Sequence, residues 1–310
     1  MGIVVVGSLN MDLVVKVKRH PLPGETLLGS DYQTYHGGKG ANQAVAAARL
    51  SQRQVVPGKG STPSVGVRMI GRVGQDAFGH ELRNALKREG INVHATLPIA
   101  APTGVAFIAV DEAGQNTIIV SPGANHRLRP ENLTLTEFEG ARVVVLQLEI
   151  PLDTVRRAAE LGRQAGATVL LNAAPAQRLP DRLLECIDIL VVNDKEALGL
   201  CGVLPDSPEM GLEVARELSQ KVPRVIVTLG EQGAVWVGPE GSGHQPALRV
   251  EAVDATGAGD AFVGALAVAL CEGETLPRAI RLGCVAGALA VTRVGAQSSL
   301  PSREEVMAWL

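Results

Sequence analysis

Aromatic residues make up only 3% of the 310 residues. Val, Leu, Ile and Ala must therefore build whatever core the 46% hydrophobic content supports. Stacking platforms for flat rings are correspondingly scarce. Charge of one sign is missing too: the net charge is −3, so there is no basic footprint for nucleic acid. The four cysteines, Cys186, Cys201, Cys271 and Cys284, lie far apart with no Cys-x-x-Cys spacing. They read as reduced structural thiols of a cytoplasmic protein. No run approaches the roughly 18 apolar residues of a membrane span. The chain enters a strand at Ile3 without a basic or long apolar leader, which argues against a secretory signal. A P-loop, Gly-x4-Gly-Lys-Ser/Thr, is absent. The first strand ends in Gly7-Ser8-Leu9-Asn10, not in Gly-x-Gly-x-x-Gly, which weighs against a nicotinamide-dependent oxidoreductase.

What is present is a rhythm of buried strands and helices. Ile3–Val6 is continuously apolar, as in a parallel sheet covered on both faces, and Val67–Val73, Val143–Leu148, Thr168–Leu171, Ile189–Val192 and Val225–Leu229 read as further strands. Helical stretches follow, for example to Leu50, over Ala77–Glu89 and from Leu276 to about Val291. This alternation predicts α/β architecture: one doubly wound, mostly parallel sheet in a single domain over residues 1–310. Two hairpin-like segments interrupt it. Leu13–Val17 and Thr26–Tyr35 flank a Pro-Gly turn, and Thr103–Val110 and Asn116–Ser121 flank Asp111–Gly114. They predict a small four-stranded lid from about residues 12–35 and 103–121. Its open face would carry Val15, Val17, Leu27 and Leu28, and pairing two lids in a homodimer would cover them. Arg53–Val65, rich in Gly, Pro and Ser, reads as an inserted surface loop.

The chemistry concentrates in Asp254-Ala255-Thr256-Gly257-Ala258-Gly259-Asp260. A β-rich run, Ala247–Val253, leads in, and a helix with Phe262, Leu266, Ala269 and Leu270 leads out. Strand, glycine turn and helix start together make an anion site from free N–H groups and the helix dipole. Asp260 in the first turn would repel a phosphate as a ligand, but is placed to take a proton from an attacking hydroxyl. A plain helix cap accounts for an isolated Gly-x-Gly-Asp as well. A second glycine turn, Gly37-Gly38-Lys39-Gly40-Ala41-Asn42, opens the first helix. Asn10 and Asp12, two apart, share a face in extended chain and offer groups to hydroxyls, or serve only as turn residues. Asn193 and Glu196 fit a helix capping pair as readily as a ligand set.

The stretch Asp254–Asp260 resembles the signature of the ribokinase-like carbohydrate kinases, and the unbroken run Gly37–Ala48 resembles that family's first signature. The resemblance covers nearly the whole chain, with Arg53–Val65 as the main departure. It implies transfer of the ATP γ-phosphoryl group to the 5-hydroxyl of D-ribose, with Asp260 as base and Gly257, Ala258 and Gly259 as anion hole. It assigns Asn10, Asp12, Gly38, Lys39, Asn42 and Glu149 to the sugar. Asn193, Thr228, Leu229, Gly230, Gly233, Gly259 and Cys284 fall to ATP, and Glu196 to water-mediated Mg²⁺. It places a K⁺ site at Asp254, Thr256, Ala290, Arg293, Gly295 and Ser299. The alternatives are a kinase for deoxyribose, fructose or a nucleoside, and a non-catalytic sugar-binding protein, which need not keep both Asp260 and the anion turn.

Overall fold

The computed structural model describes residues 2–52 and 65–310, so all but the last residue of the Arg53–Val65 insertion lies outside the described residues. The strands are β1 (Gly2–Val6), β2 (Asn10–Lys16), β3 (Gln33–Gly37), β4 (Gly66–Gly74), β5 (Thr96–Ile99), β6 (Gly104–Val110) and β7 (Asn116–Ser121). They continue with β8 (Ala141–Leu146), β9 (Thr168–Asn172), β10 (Ile189–Asn193), β11 (Arg224–Thr228), β12 (Ala234–Gly238) and β13 (Gly241–Gln245). The helices are α1 (Lys39–Ser51), α2 (Ala77–Arg88), α3 (Leu152–Gln164), α4 (Asp181–Leu184), α5 (Asp194–Cys201), α6 (Pro208–Leu218), α7 (Ala258–Glu272), α8 (Leu276–Ala290) and α9 (Arg303–Met307).

Nine of these strands form one sheet in the order β13-β12-β11-β10-β9-β8-β1-β4-β5. It is parallel from β5 to β11, and β12 and β13 return antiparallel at one edge. The apolar runs are explained by burial on both faces. Ile3 and Val5 of β1 pack toward α1, α7 and α8, while Val4 and Val6 pack toward α3 and its neighbours. All four are fully buried, and each contributes about 1.5–3 kcal/mol by leaving water. The chain winds outward from β1 through β4 to β5, then restarts at β8 on the other side of β1. That reversal opens a crevice at the carboxyl ends of β1 and β8, where open α/β sheets bind ligands.

A second sheet, β3-β2-β6-β7, stands apart as expected of the two hairpin segments. β2 and β6 pair in parallel at its centre, with antiparallel β3 and β7 outside. Four expectations need correction. Only Gln33–Gly37 of the expected Thr26–Tyr35 strand is extended in the sheet, because residues 26–32 are largely exposed and outside the ladder. Ala247–Val253 forms no strand. Pro246 has no N–H to extend β13, and Val253 and Asp254 donate instead to the Val291 carbonyl after α8. Asn10 and Asp12 lie in β2 and not in a turn. Of the apolar lid residues only Leu28 is fully open (96% exposed), whereas Val15, Val17 and Leu27 are half-buried. The open apolar surface is carried by the cross-strand pair Phe107 and Ile119, with Ile118 and Val120 beside it. Among the described residues no helix is long and apolar enough to cross a membrane.

Candidate active site

The site is built where α1 and α7 meet over the carboxyl ends of β1 and β8. α1 is almost wholly buried and rich in alanine. α7 answers with Gly264, where an added Cβ would lie 2.4 Å from the Ala46 Cβ. Small residues on both sides let the helices approach closely enough for the first turn of α1 to reach the first turn of α7. Asn42 Nδ2 donates to Asp260 Oδ2 at 2.9 Å, and Gln43 Nε2 donates to Asp260 Oδ1 at 2.9 Å. Asp260 is therefore buried at 7% exposure with both oxygens held.

At the start of α7, Gly257 adopts φ 81°, a left-handed conformation that glycine takes without strain. It turns the chain into the helix, and among the described residues no side chain caps this N-terminus. The first amides of α7 are thus free of side-chain acceptors, as an anion site requires.

On the sugar side of the expected site, the turn before α1 lies against the β1–β2 junction. Gly38 backs onto the Leu9–Asn10 backbone. The Lys39 amide donates to Glu149 Oε2 at 3.0 Å, and Ser8 Oγ donates to the same oxygen at 2.5 Å. Glu149 is thus a pinned carboxylate and not a free loop acid. Asn10 Oδ1 accepts from Asn125 Nδ2 at 2.7 Å, and Asn125 also pairs with both backbone groups of Leu9. Asp12 lies within the field of Glu149 and Asp260. Burial, with those two negative neighbours, pushes its carboxyl up to about 7. Burial also raises Asp260, against Lys39 and the Asn42 and Gln43 amides, which favour the charged form, while Glu149 adds to the rise. Burial disfavours the charged Lys39 ammonium, but Asp260, Glu149 and Glu196 outweigh it and hold its pKa above the ordinary value. Lys39 is the positive centre of an otherwise acidic cluster.

The remaining predicted residues surround this cluster. Asn193 and Glu196 form a reciprocal capping box on α5, each backbone N–H donating to the other's side chain at 2.8 Å. Burial raises Glu196, and the Asn193 backbone bond and Lys39 oppose that rise. Thr228 ends β11, and Leu229, Gly230 and Gly233 form a tight turn after it, closed by the Leu229 amide on the Gly233 carbonyl at 2.8 Å. Cys284 is buried on α8 near the Gln245 carbonyl, and burial pushes its thiol up to about 12. Asp254 accepts from the Thr256 amide at 2.9 Å and the Gly295 amide at 2.8 Å, and Ser299 Oγ reaches the Thr256 carbonyl at 3.5 Å. Ala290 ends α8, and its carbonyl accepts from the Arg293 amide. The Arg293 side chain pairs with Glu305, and because a guanidinium has no acceptor only the Arg293 carbonyl could serve a cation. Among the described residues no group of three or more His, Cys, Asp or Glu is arranged to hold a metal ion.

Sequence reasoning missed Ser8, Gln43, Asn125, Gln147 and Asn172 as parts of this network. Ser8, Gln147 and Asn172 stand at or just beyond the carboxyl ends of β1, β8 and β9. A polar residue closing an apolar strand run was the signal that could have found them.

Comparison with known proteins agrees with this geometry. The family model described as pfkB family carbohydrate kinase matches residues 2–303. A ribokinase from Haemophilus influenzae is 39% identical over 311 residues, covering 99% of this chain and 97% of that protein. A deoxyribokinase from Salmonella typhi is 37% identical over 315 residues, covering 100% of this chain and 99% of that protein. Among solved structures, the Arabidopsis thaliana ribokinase complexed with ribose and ATP is similar with a TM-score of 0.89 at 33% identity, covering 99% of this chain and 97% of that one. An acid cradled at a glycine-turn helix start, on a fold shared end to end with these enzymes, places the chain in the pfkB family of carbohydrate kinases.

Proposed function

We propose that this kinase transfers the γ-phosphoryl group of ATP to the 5-hydroxyl of D-ribose. The observation that carries the reading is Asp260: buried in the first turn of α7, held by two amides, beside an uncapped helix start and within the field of Lys39. Asp260 takes the proton of the attacking hydroxyl as that oxygen bonds the γ-phosphorus and the bond to the bridging oxygen breaks, releasing ADP. The Gly257, Ala258 and Gly259 amides at the positive end of α7 stabilise the transferring charge. Asn10, Asp12, Gly38, Lys39, Asn42 and Glu149 hold the sugar hydroxyls. Asn42 Oδ1 is buried without a partner among the described residues, and a sugar hydroxyl would satisfy it. Asn193, Thr228, Leu229, Gly230, Gly233 and Cys284 border the nucleotide. Mg²⁺ fits beside Glu196 through water, because the ion keeps several waters and takes its other oxygens from the phosphates. K⁺ fits the all-oxygen set of Asp254 with the backbone at Thr256, Ala290, Arg293, Gly295 and Ser299, and would act by ordering the anion turn.

The whole chain acts as one catalytic domain, with the β3-β2-β6-β7 sheet as its lid. Two lids pair in a homodimer in the cytoplasm and cover Phe107 and Ile119. Light scattering at micromolar concentration tests this: the wild type should run as a dimer and Ile119→Lys as a monomer, and a monomeric wild type would defeat it. The 37% identical deoxyribokinase favours one second reading, 2-deoxyribose as substrate. A coupled ADP-release assay over ribose, 2-deoxyribose, fructose and adenosine decides between them. A ligand lacking a matching hydroxyl leaves a buried polar group unpaired, at a cost of about 1–3 kcal/mol. The highest kcat/KM should belong to ribose; a clear preference for any other would overturn the assignment.

A further inference from the structure

The contacts of Asp260 extend into a chain of buried amides that the reaction as described does not use. Gln43 is 1% exposed and Gln147 is fully buried, so neither has solvent to bond to. Gln43 Nε2 donates to Asp260 Oδ1 at 2.9 Å and to Asn172 Oδ1 at 3.1 Å, which uses both its hydrogens. Gln43 Oε1 accepts from Gln147 Nε2 at 2.7 Å. Asn172 Nδ2 is turned away toward the Val191 carbonyl at 3.4 Å, so its oxygen faces Gln43. Inverting the Gln43 amide would set its oxygen against two acceptors and its NH₂ group against another NH₂ group. Every neighbour enforces the same orientation.

The arrangement is costly as mere packing. Buried amides are tolerated only when paired, and Gln147 Oε1 has no partner among the described residues. Apolar side chains at both positions together would avoid that cost, whereas one alone would strand the other's amide. We propose that Gln43 is a positioning residue that holds Asp260 as an ionised base, and that Gln147 sets the Gln43 amide in the donating orientation. This rests on the reading of Asp260 as the base.

The physical effect is twofold. With Asn42 on Oδ2 and Gln43 on Oδ1, the carboxylate is fixed about its last torsion, and each oxygen keeps a lone pair for the incoming proton. An N–H donor also favours the charged form. The groups facing Asp260 oppose one another: Lys39 on α1 favours ionisation, while burial, Asp12 on β2, Glu149 after β8 and Glu196 on α5 disfavour it. Removing one donor from this balance leaves more of the neutral acid, which accepts no proton.

The test is the pH dependence of single-turnover phosphoryl transfer with sugar and MgATP saturating, so that groups titrating only in the free site drop out. Gln43→Met keeps length and flexibility but removes the donor. Its acid limb should move to higher pH by about one to two units, with the KM for sugar and for MgATP nearly unchanged. Gln147→Met leaves Gln43 oriented by Asp260 and Asn172 alone, without the donor on its oxygen, and should move the limb the same way by less. If Gln43→Met lacks a cooperative melt, Gln147→Met decides on the same readout. A limb that stays in place, whatever happens to the plateau rate, overturns the proposal. Asp260→Asn is run alongside: near wild-type turnover there would remove the base assignment itself, whereas a dead Asp260→Asn with unmoved limbs in the glutamine variants would remove only the role of Gln43.

Discussion

Asp254 and Asp260 close the two ends of one short stretch, and each accepts two close N–H bonds of 2.8–2.9 Å. Their charge states nevertheless move in opposite directions. Asp254 is half-buried; burial pushes it up, but its bonds from Thr256 and Gly295 outweigh that and hold it below the usual carboxylate range. Asp260 is buried, and there burial prevails over Lys39, Asn42 and Gln43 and raises it. Asp254 also has the Thr256 side chain as a donor, so donors prevail at the shallower site, whereas burial prevails at the deeper one. One end of the motif keeps its negative charge more readily than an ordinary carboxylate, and the other takes a proton more readily than one.

The largest effect should come from breaking the buried end. Asp260→Asn preserves shape and removes the proposed base, so kcat should fall by roughly 10²–10⁴-fold or more while nucleotide binding, measured by calorimetry, persists. Breaking the half-buried end should cost less, because Asp254 is proposed to act through the turn and not on the reacting atoms. Asp254→Asn should lower kcat by about tenfold and abolish the difference between rates in K⁺ and in a large organic cation at matched ionic strength. A variant that kept its K⁺ response would separate Asp254 from the cation.

Asp12 sharpens the comparison at the smallest scale. Its folded pKa of about 7 lies above the ordinary 3.8, so between those values the folded protein binds more protons than the unfolded chain. Stability from this group is full below about pH 4 and is lost as the pH rises through about 7. Asp12→Asn should raise the melting temperature of the ligand-free protein by a few degrees at about pH 8 and leave it unchanged at about pH 4. Equal melting shifts at both would show that burial does not set this acid's charge.

How far the sequence revealed these features depended on their range along the chain. Strands buried on both faces, such as Ile3–Val6 and Ile189–Val192, were legible because continuous apolar runs have few other homes. The glycine turn before Asp260 was legible because its spacing is local. Ala247–Val253 was misread because a moderately apolar run does not reveal whether a partner strand is beside it, and there the partner is the end of α8. The bonds from Gln43 to Asp260 and to Gln147 join residues far apart in the chain, so no spacing rule points to them. Asn125 is the same case: it braces Asn10 and Leu9 from the far side of the lid segment.

The opposed charge states of Asp254 and Asp260 are tested most directly by carbon-13 NMR of the aspartate side-chain carboxyls. The two signals would be assigned by their loss in Asp254→Asn and Asp260→Asn. The account predicts that Asp254 titrates below the ordinary carboxylate value of 3.8 and Asp260 above it. The reverse order, or two coincident titrations, would contradict it.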